Sequence, residues 1–187
     1  MTSVSGHDAL AVVEISTIAR GYVVLDALVK KAPVTVRVAR AVTPGKLVIV
    51  FSGDVASVEE AFEAAREHAK GTIVDDVLLP AAHAGLLPAI DGALVPASGD
   101  AIGVVETSTV ASSVRAADAA LKAALVVVPK ARLAIGIGGK GVFVVCGALA
   151  DVEAAVDAAT AEIPVEKRVA IEIIAQPHDE VRGFLLS

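Results

Sequence analysis

The chain alternates short β-branched runs with longer alanine-rich segments, and this alternation occurs twice. The first run of each cycle predicts a strand, at Leu10–Ile15 and at Ile102–Thr107. A helical segment follows each strand, at Tyr22–Lys31 and at Val114–Ala124. In the later helix the apolar residues recur at i, i+3, i+7 and i+10, which places them on one face.

Two more strands, a second helix and a last strand complete each cycle. The second helix is predicted to begin after Ser57 or Asp151, with capping-box spacing between Ser57 and Glu60. The remaining strands are predicted at Val34–Val42, Leu47–Phe51 and Ile73–Leu79, and at Leu125–Val128 running on through Leu133–Ile135, Val142–Cys146 and Val169–Ala175. The order β-α-β-β-α-β predicts an α+β, ferredoxin-like unit in each cycle.

The two cycles are copies of one ancestral sequence. Residues 12–40 and 104–132 are identical at 14 of 29 positions, and residues 46–65 and 140–159 at 10 of 20. Special residues recur as well: Glu14 and Glu106, Asp26 and Asp118, Lys30 and Lys122, Arg40 and Arg132, Lys46 and Lys140. Between the copies, Gly92–Gly99 is rich in turn residues, so we predict two domains, 1–98 and 99–187.

Composition limits the partners of the chain. Of its 187 residues 55% are hydrophobic and 3% aromatic, which predicts a core of small aliphatic side chains and apolar surface suited to subunit burial. A net charge of −6 argues against nucleic-acid binding. Lysines and arginines interrupt the apolar stretches, and the first ten residues lack a secretory pattern, so we expect no membrane partner and a cytoplasmic location. A single cysteine agrees with a reducing compartment.

One loop resembles a nucleotide-binding motif. Residues 136–141, GIGGKG, satisfy G-x-G-x-x-G, but a dinucleotide site needs a helix after the glycines, and a strand follows here. A P-loop needs Ser or Thr after the lysine, and Gly141 stands there. We therefore interpret this segment as a β-hairpin connection.

The other candidate side chains form no catalytic set. The histidines, His7, His68, His83 and His178, lack metal-ligand spacing, and Cys146 lies within an apolar strand, where a buried structural thiol is expected. Glu14 and Glu106 have no matching base or nucleophile, so we expect a structural role such as capping the turn that follows each. We predict that the chain is not an enzyme and has no cofactor or metal.

Taken together, these sequence segments resemble those of the bacterial microcompartment shell proteins. The resemblance rests on Val105–Thr107, Ala116–Ala124, Gly141–Gly147 and Val152–Ala155, with the same skeleton in the first copy. The resemblance covers the chain from about Leu10 to His178. Within the family, the chain is similar to the tandem-domain, non-permuted members. The resemblance implies a homotrimer that mimics a hexameric tile, lies beside hexameric and pentameric shell proteins around encapsulated enzymes, and passes small metabolites through a central pore.

The resemblance also implies site residues. The loops between the second and third strands would line the pore: Val42, Thr43, Pro44, Gly45, Lys46, Gly136, Ile137, Gly138, Gly139 and Lys140. The lysines Lys46 and Lys140 would favour anionic or polar metabolites. Contacts at the tile edge would involve Lys30, Lys122, His83, His178 and Gln176.

Two departures from the family pattern alter these expectations. The edge arginine of the P-R-P-H motif is replaced, because the equivalent segments are Pro80–His83 and Ala175–His178. The cysteine that holds an iron–sulfur cluster in some tandem members is missing from both pore loops. An alternative function is a small-molecule-binding regulator built from tandem ferredoxin-like domains, since the fold alone does not exclude it.

Overall fold

The computed structural model describes residues 9–93 and 95–186, which form two compact units, a first that ends at Ala84 and a second that begins at Gly85. Each unit holds one antiparallel four-stranded sheet, with the strand orders β2-β3-β1-β4 and β6-β7-β5-β8. The predicted α+β, ferredoxin-like arrangement is confirmed in both copies, in the direct element order.

Within residues 9–84 the first unit contains four strands and two long helices. Its elements are β1 (Ala9–Ile15), α1 (Ile18–Lys31), β2 (Thr35–Val42), β3 (Lys46–Gly53), α2 (Val55–Ala69) and β4 (Ile73–Leu79). Alternate strand residues face α1 and α2 and form the core, among them Ile15, Ile49 and Phe51. We call the opposite side of each sheet its far face. In the first sheet the far face is also buried at Leu10 and Val50.

The second unit repeats this pattern and adds a short helix at each end. Its elements are α3 (Leu86–Ile90), β5 (Ala101–Thr107), α4 (Val110–Ala123), β6 (Val127–Leu133), β7 (Gly141–Gly147), α5 (Leu149–Glu162), β8 (Arg168–Ala175) and α6 (Asp179–Leu186). Helix α3 packs against β6 and α4 within the second unit, which begins at Gly85. The domain boundary between residues 98 and 99, which the repeat indicates, stays a prediction.

The predicted helix starts were three or four residues too late. Helices α1 and α4 begin at Ile18 and Val110, before the residues that carry the apolar periodicity. The N-cap of α2 is Asp54, whose carboxylate accepts hydrogen bonds from the Ser57 amide at 3.0 Å and the Ser57 hydroxyl at 2.6 Å. Helix α5 begins after Ala148, which has no capping side chain of its own, and the Leu149 amide donates instead to the Asp100 carboxylate at 3.1 Å.

A compensated glycine contact joins the first helix to the third strand in each copy. In the first unit a Cβ on Gly21 would overlap Leu47, so only glycine lets α1 approach β3 this closely. In the second unit the equivalent residues are Ser113 on α4 and Gly141 on β7, and a Cβ on Gly141 would overlap Ser113. The glycine has changed sides of the contact, and the close approach of helix and strand is retained.

Candidate pore loops and assembly surfaces

The loop between β2 and β3 is a short turn. Only Thr43, Pro44 and Gly45 separate the two strands, and all three are exposed. The Gly45 amide donates to the Val42 carbonyl at 2.8 Å, and Gly45 has a φ of +114°, which a side chain would disfavour. The three residues therefore form a small projecting tip with little side-chain bulk.

The equivalent loop of the second unit is longer. Strand β6 ends at Leu133 rather than at the predicted Ile135, because Ala134 takes a φ of +66° and breaks the extended run. Gly136, Gly138 and Gly139 also have positive φ values. The G-x-G-x-x-G segment thus connects two strands, as its sequence context predicted, and no helix begins there.

Not all of the predicted pore residues reach the surface. Val42, Lys46 and Gly139 are buried by their own chain, whereas Ile137 and Lys140 are half-buried. The tips of the two loops therefore present the remaining residues, Thr43, Pro44, Gly45, Gly136 and Gly138, with Ile137 beside them.

Both predicted pore lysines are paired with a glutamate. The Lys46 ammonium donates to the Glu14 carboxylate, and both side chains are almost fully buried. In the second unit the Lys140 ammonium donates to Glu106 at 2.6 Å, but these side chains are 42% and 29% exposed. The expected charge on the lysines is therefore neutralised locally. The partners of Glu14 and Glu106 were missed because each lies more than thirty residues away in sequence.

Two arginines near the same loops carry unneutralised charge. Arg40 lies opposite Val48 and Arg132 opposite Val142, so both project from the far faces of their sheets. Both are exposed, and within the part of the chain that the structure describes neither guanidinium has a hydrogen bond or an ion pair. Their recurrence was visible in the sequence, but their unpaired state was not.

The recurring helix lysines form matching ion pairs. Lys30 pairs with Asp26 at 2.6 Å, and Lys122 pairs with Asp118 at 2.5 Å, each one helical turn away. Lys30 is on the surface, beside an open groove of about 940 Å³ between α1 and α2. The groove is rich in carboxylates, among them Glu59, Glu60, Glu63 and Glu67.

The other predicted edge residues lie after the last strand of each copy. Gln176 is exposed and takes a φ of +48°, and its backbone amide donates to the Asp100 carbonyl at 2.6 Å. His178 is exposed at the start of α6, and its Nδ1 accepts from the Glu180 amide at 3.3 Å. His83 is half-buried, and His7 lies outside the described residues. Among residues 9–93 and 95–186, no group of three or more His, Cys, Asp or Glu could hold a metal ion.

The one cysteine is buried in the second unit, as predicted. Cys146 lies on the far face of the second sheet, 1% exposed, with Ile102 and Val144. Its thiol donates to the Ser98 carbonyl at 3.6 Å. No helix in the described ranges is long and apolar enough to cross a bilayer.

The first helices of the two copies differ most in burial. On α4, Val110, Val114 and Leu121 are 0%, 2% and 6% exposed. Their equivalents on α1 are Ile18, Tyr22 and Val29, which are 37%, 54% and 44% exposed. This apolar side of α1, which we call the outer face of α1, is the main surface that the sequence did not single out.

Comparison with known proteins agrees with the duplicated architecture. The family model described as the BMC domain matches twice, at residues 9–82 and 101–177. The bacterial microcompartment shell protein PduT of Citrobacter freundii is 37% identical over 175 residues, which cover 92% of this chain and 95% of PduT. A crystal structure of a microcompartment protein from Desulfitobacterium hafniense is 34% identical with a TM-score of 0.85, covering 95% of this chain and 99% of that one.

A more distant structure shares the fold alone. It is the fused, permuted hexameric shell protein of the RMM microcompartment, 23% identical with a TM-score of 0.64 over 86% of each chain. In contrast to that permuted protein, each copy here keeps the direct order of elements. The two domain matches and the two closely covered relatives show that the chain belongs to the family of bacterial microcompartment shell proteins, as a non-permuted member with two BMC domains in tandem.

Proposed function

We propose that the chain is a structural subunit of a bacterial microcompartment shell, and that three copies close into a ring that mimics a hexamer. The observation that carries this proposal is the difference in burial between α1 and α4. Positions that are buried on α4 are apolar and exposed on α1, so the outer face of α1 has the composition of a surface that is covered.

The second sheet offers the complementary surface. Its far face is only partly covered, since Val104, Val142 and Glu106 remain half-buried, whereas the equivalents Val12, Val48 and Glu14 are buried. One chain thus has an unfilled surface in each unit, and the two surfaces are different. When two different surfaces of identical chains bind each other head to tail, the chains form a ring if the rotation from one chain to the next adds up to a full circle. Three chains of two domains give the six positions of a hexameric tile.

The loop tips would then surround the central opening. Thr43, Pro44 and Gly45 of each chain would alternate with Gly136, Ile137 and Gly138, which gives a narrow and mostly uncharged rim. We assign Val42, Lys46, Gly139 and Lys140 to the layer behind the rim, because they are buried or half-buried in the single chain.

The charge at the opening would come from arginine rather than lysine. Lys46 and Lys140 are neutralised by Glu14 and Glu106, so their contribution to the field is small. Arg40 and Arg132 are exposed and would form two sets of three around the rim. A cluster of like charge at a constriction favours counter-ions, so we propose that the pore passes small anionic or polar metabolites.

The outer edge of the ring would contact neighbouring tiles. The neighbouring tiles in this proposal are hexameric and pentameric shell proteins. The residues assigned to the edge are Lys30, Lys122, His83, Gln176 and His178. The shell would lie in the cytoplasm and enclose enzymes, and the chain itself would have no catalytic role.

Imaging tests this proposal directly. Class averages of the purified chain should show threefold particles with a central opening, and concentrated samples should form sheets. A Lys30→Ala, Lys122→Ala variant should keep the particles and lose the sheets. Particles without threefold symmetry would contradict the ring, and unchanged sheets would contradict only the edge assignment.

A charge reversal tests the pore. The Arg40→Glu, Arg132→Glu variant should reduce the passage of an anionic solute through reconstituted shells, and a neutral solute of the same size should be unaffected. Lys130→Glu, on the same strand as Arg132, is the matched control. An unchanged anion rate in the double variant would contradict the arginine assignment.

A further inference from the structure

The two copies end in helices at equivalent positions. The offset of 95 residues that relates His83 to His178 also relates the buried residues of α3 to residues of α6. Leu86, Ala89 and Ile90 correspond in this way to Val181, Phe184 and Leu185. Both sets have the spacing i, i+3, i+4, which places their members on one helical face.

The equivalent faces have different surroundings. Leu86, Ala89 and Ile90 are 1%, 2% and 8% exposed, on a helix that packs against β6 and α4. Val181 and Phe184 are 44% and 82% exposed, and no described residue of α6 is buried. An apolar face on α6 is thus left largely in water, although its counterpart on α3 is enclosed.

In the single chain α6 is a loose cover over the far face of the second sheet. Leu185 and Leu186 pack against the cluster of Ile102, Val144 and Cys146. A cavity of about 250 Å³ remains between α6 and the sheet. Its lining includes Arg132, Ile137, Phe184 and Leu185. Atoms that line a void lose dispersion contacts on that side, so this packing is weaker than that of a filled core.

We infer that α6 docks on the next copy in the assembled ring, on the strand β2 and the helix α1 that correspond to the β6 and α4 contacted by α3. This inference rests on the proposed ring and names one contact that holds it. The outer face of α1, with Tyr22 and Val29 exposed, supplies apolar surface at the place that buried Val114 and Leu121 occupy on α4. Movement of α6 would also free the far face of the second sheet for the neighbouring chain.

Helix α6 would therefore have two positions. In the free chain it covers Ile102, Val144 and Cys146, and in the ring it clasps the next copy. In the free chain α6 conceals part of the far face of the second sheet, which limits non-specific association there, and in the ring it also conceals its own apolar face. The same segment thus links the solubility of the single chain to the strength of the assembly.

Fluorescence can follow this movement, because the chain has no tryptophan and one tyrosine, Tyr22 on α1. In a Phe184→Trp variant the emission should shift to shorter wavelength as dilute chain is concentrated into rings, and energy transfer from Tyr22 of the next copy should increase. Val165→Trp, at a site that is 74% exposed, is the matched control and should show neither change.

A charge at the same position tests the energy of the contact. Phe184→Glu should weaken ring formation by at least about tenfold, the effect of losing one well-buried contact residue. Val165→Glu should leave ring formation unchanged, and both variants should keep the wild-type circular dichroism spectrum, since both positions are exposed in the single chain.

The outcomes separate the inference from the ring itself. A wild-type chain that stays monomeric would overturn the ring and the docking of α6 together. If the wild-type chain forms a trimer, two results would overturn only the docking of α6. The tryptophan emission of the Phe184→Trp variant would stay the same in monomer and trimer, and the Phe184→Glu variant would assemble normally.

Discussion

Helices α1 and α4 are the same element in two settings. They share the aspartate–lysine pair, Asp26 with Lys30 and Asp118 with Lys122, at nearly the same distance. They differ in burial, because α4 is enclosed at Val114 and Leu121 whereas α1 is open at Tyr22 and Val29. In a duplicated chain this asymmetry identifies the surface of the domain that the proposed ring would cover.

The ion pairs behind the loops differ in the same way and give the largest expected effect. Glu14→Gln should lower the free energy of unfolding by about 3–5 kcal/mol, because it leaves the Lys46 ammonium buried without a counter-charge. Glu106→Gln should cost less than about 1 kcal/mol, because its pair with Lys140 is partly solvated. Urea unfolding at one protein concentration measures the loss of unfolding free energy in each variant. Equal losses would contradict the claim that burial makes the first ion pair more important for stability.

A glutamate on each helix separates folding from assembly. Tyr22→Glu should weaken the trimer by about 30-fold or more, about 2 kcal/mol, and change single-chain stability by less than about 0.5 kcal/mol. Val114→Glu, at the equivalent buried position, should destabilise the single chain itself. Sedimentation equilibrium and urea unfolding distinguish these effects, and an unchanged trimer in Tyr22→Glu would remove the outer face of α1 from the interface.

The close contact between helix and strand, which holds its glycine on α1 in the first unit and on β7 in the second, gives a third test. Gly21→Ser should cost about 1–3 kcal/mol, because the added atoms overlap Leu47 in a filled contact. Adding Leu47→Gly, which reproduces the Ser113 and Gly141 pair, should cost less than the sum of the two single changes. Gly183→Ser, where an added Cβ meets nothing within 4 Å, is the control. Additive costs would show that the two residues are not coupled.

The helix caps provide the smallest effect. Hydrogen bonds from Ser57 lower the pKa of Asp54, so its stabilising contribution is present above the unfolded-state pKa and is lost as pH falls through the folded-state pKa. Asp54→Ala should therefore reduce the melting temperature at neutral pH and have little effect in acid. Ala148→Asp, at the N-cap of α5, should raise stability by less than about 1 kcal/mol, because the Leu149 amide of the first turn already donates to the Asp100 carboxylate at 3.1 Å. Calorimetry across pH measures both changes, and a pH-independent loss for Asp54→Ala would contradict the capping role.

Local patterns predicted the elements but not their partners. Alternating and helical periodicities located the eight strands and four long helices of residues 9–93 and 95–186, because these signals lie within a few residues. The short helices α3 and α6 were missed, since five and eight residues carry little periodicity. The capping error at Ser57 arose because Asp54 and Ser57 are both good caps, and only the backbone shows which one precedes the helix.

The pairing of Glu14 with Lys46 depends on strand register, which sequence spacing does not contain. The neutralisation of the candidate pore lysines was missed for the same reason, because the glutamate that pairs with each lysine is remote from it in sequence. The candidate loops, by contrast, were located correctly between their strands, because turn residues mark such connections locally.

The native mass of the wild-type chain in solution tests the ring most directly. Light scattering should give three times the 18.8 kDa of one chain, or six times if two rings stack. A stable monomer or dimer across the accessible concentration range would contradict the ring, because the outer face of α1 and the far face of the second sheet would then have no closed arrangement that covers them.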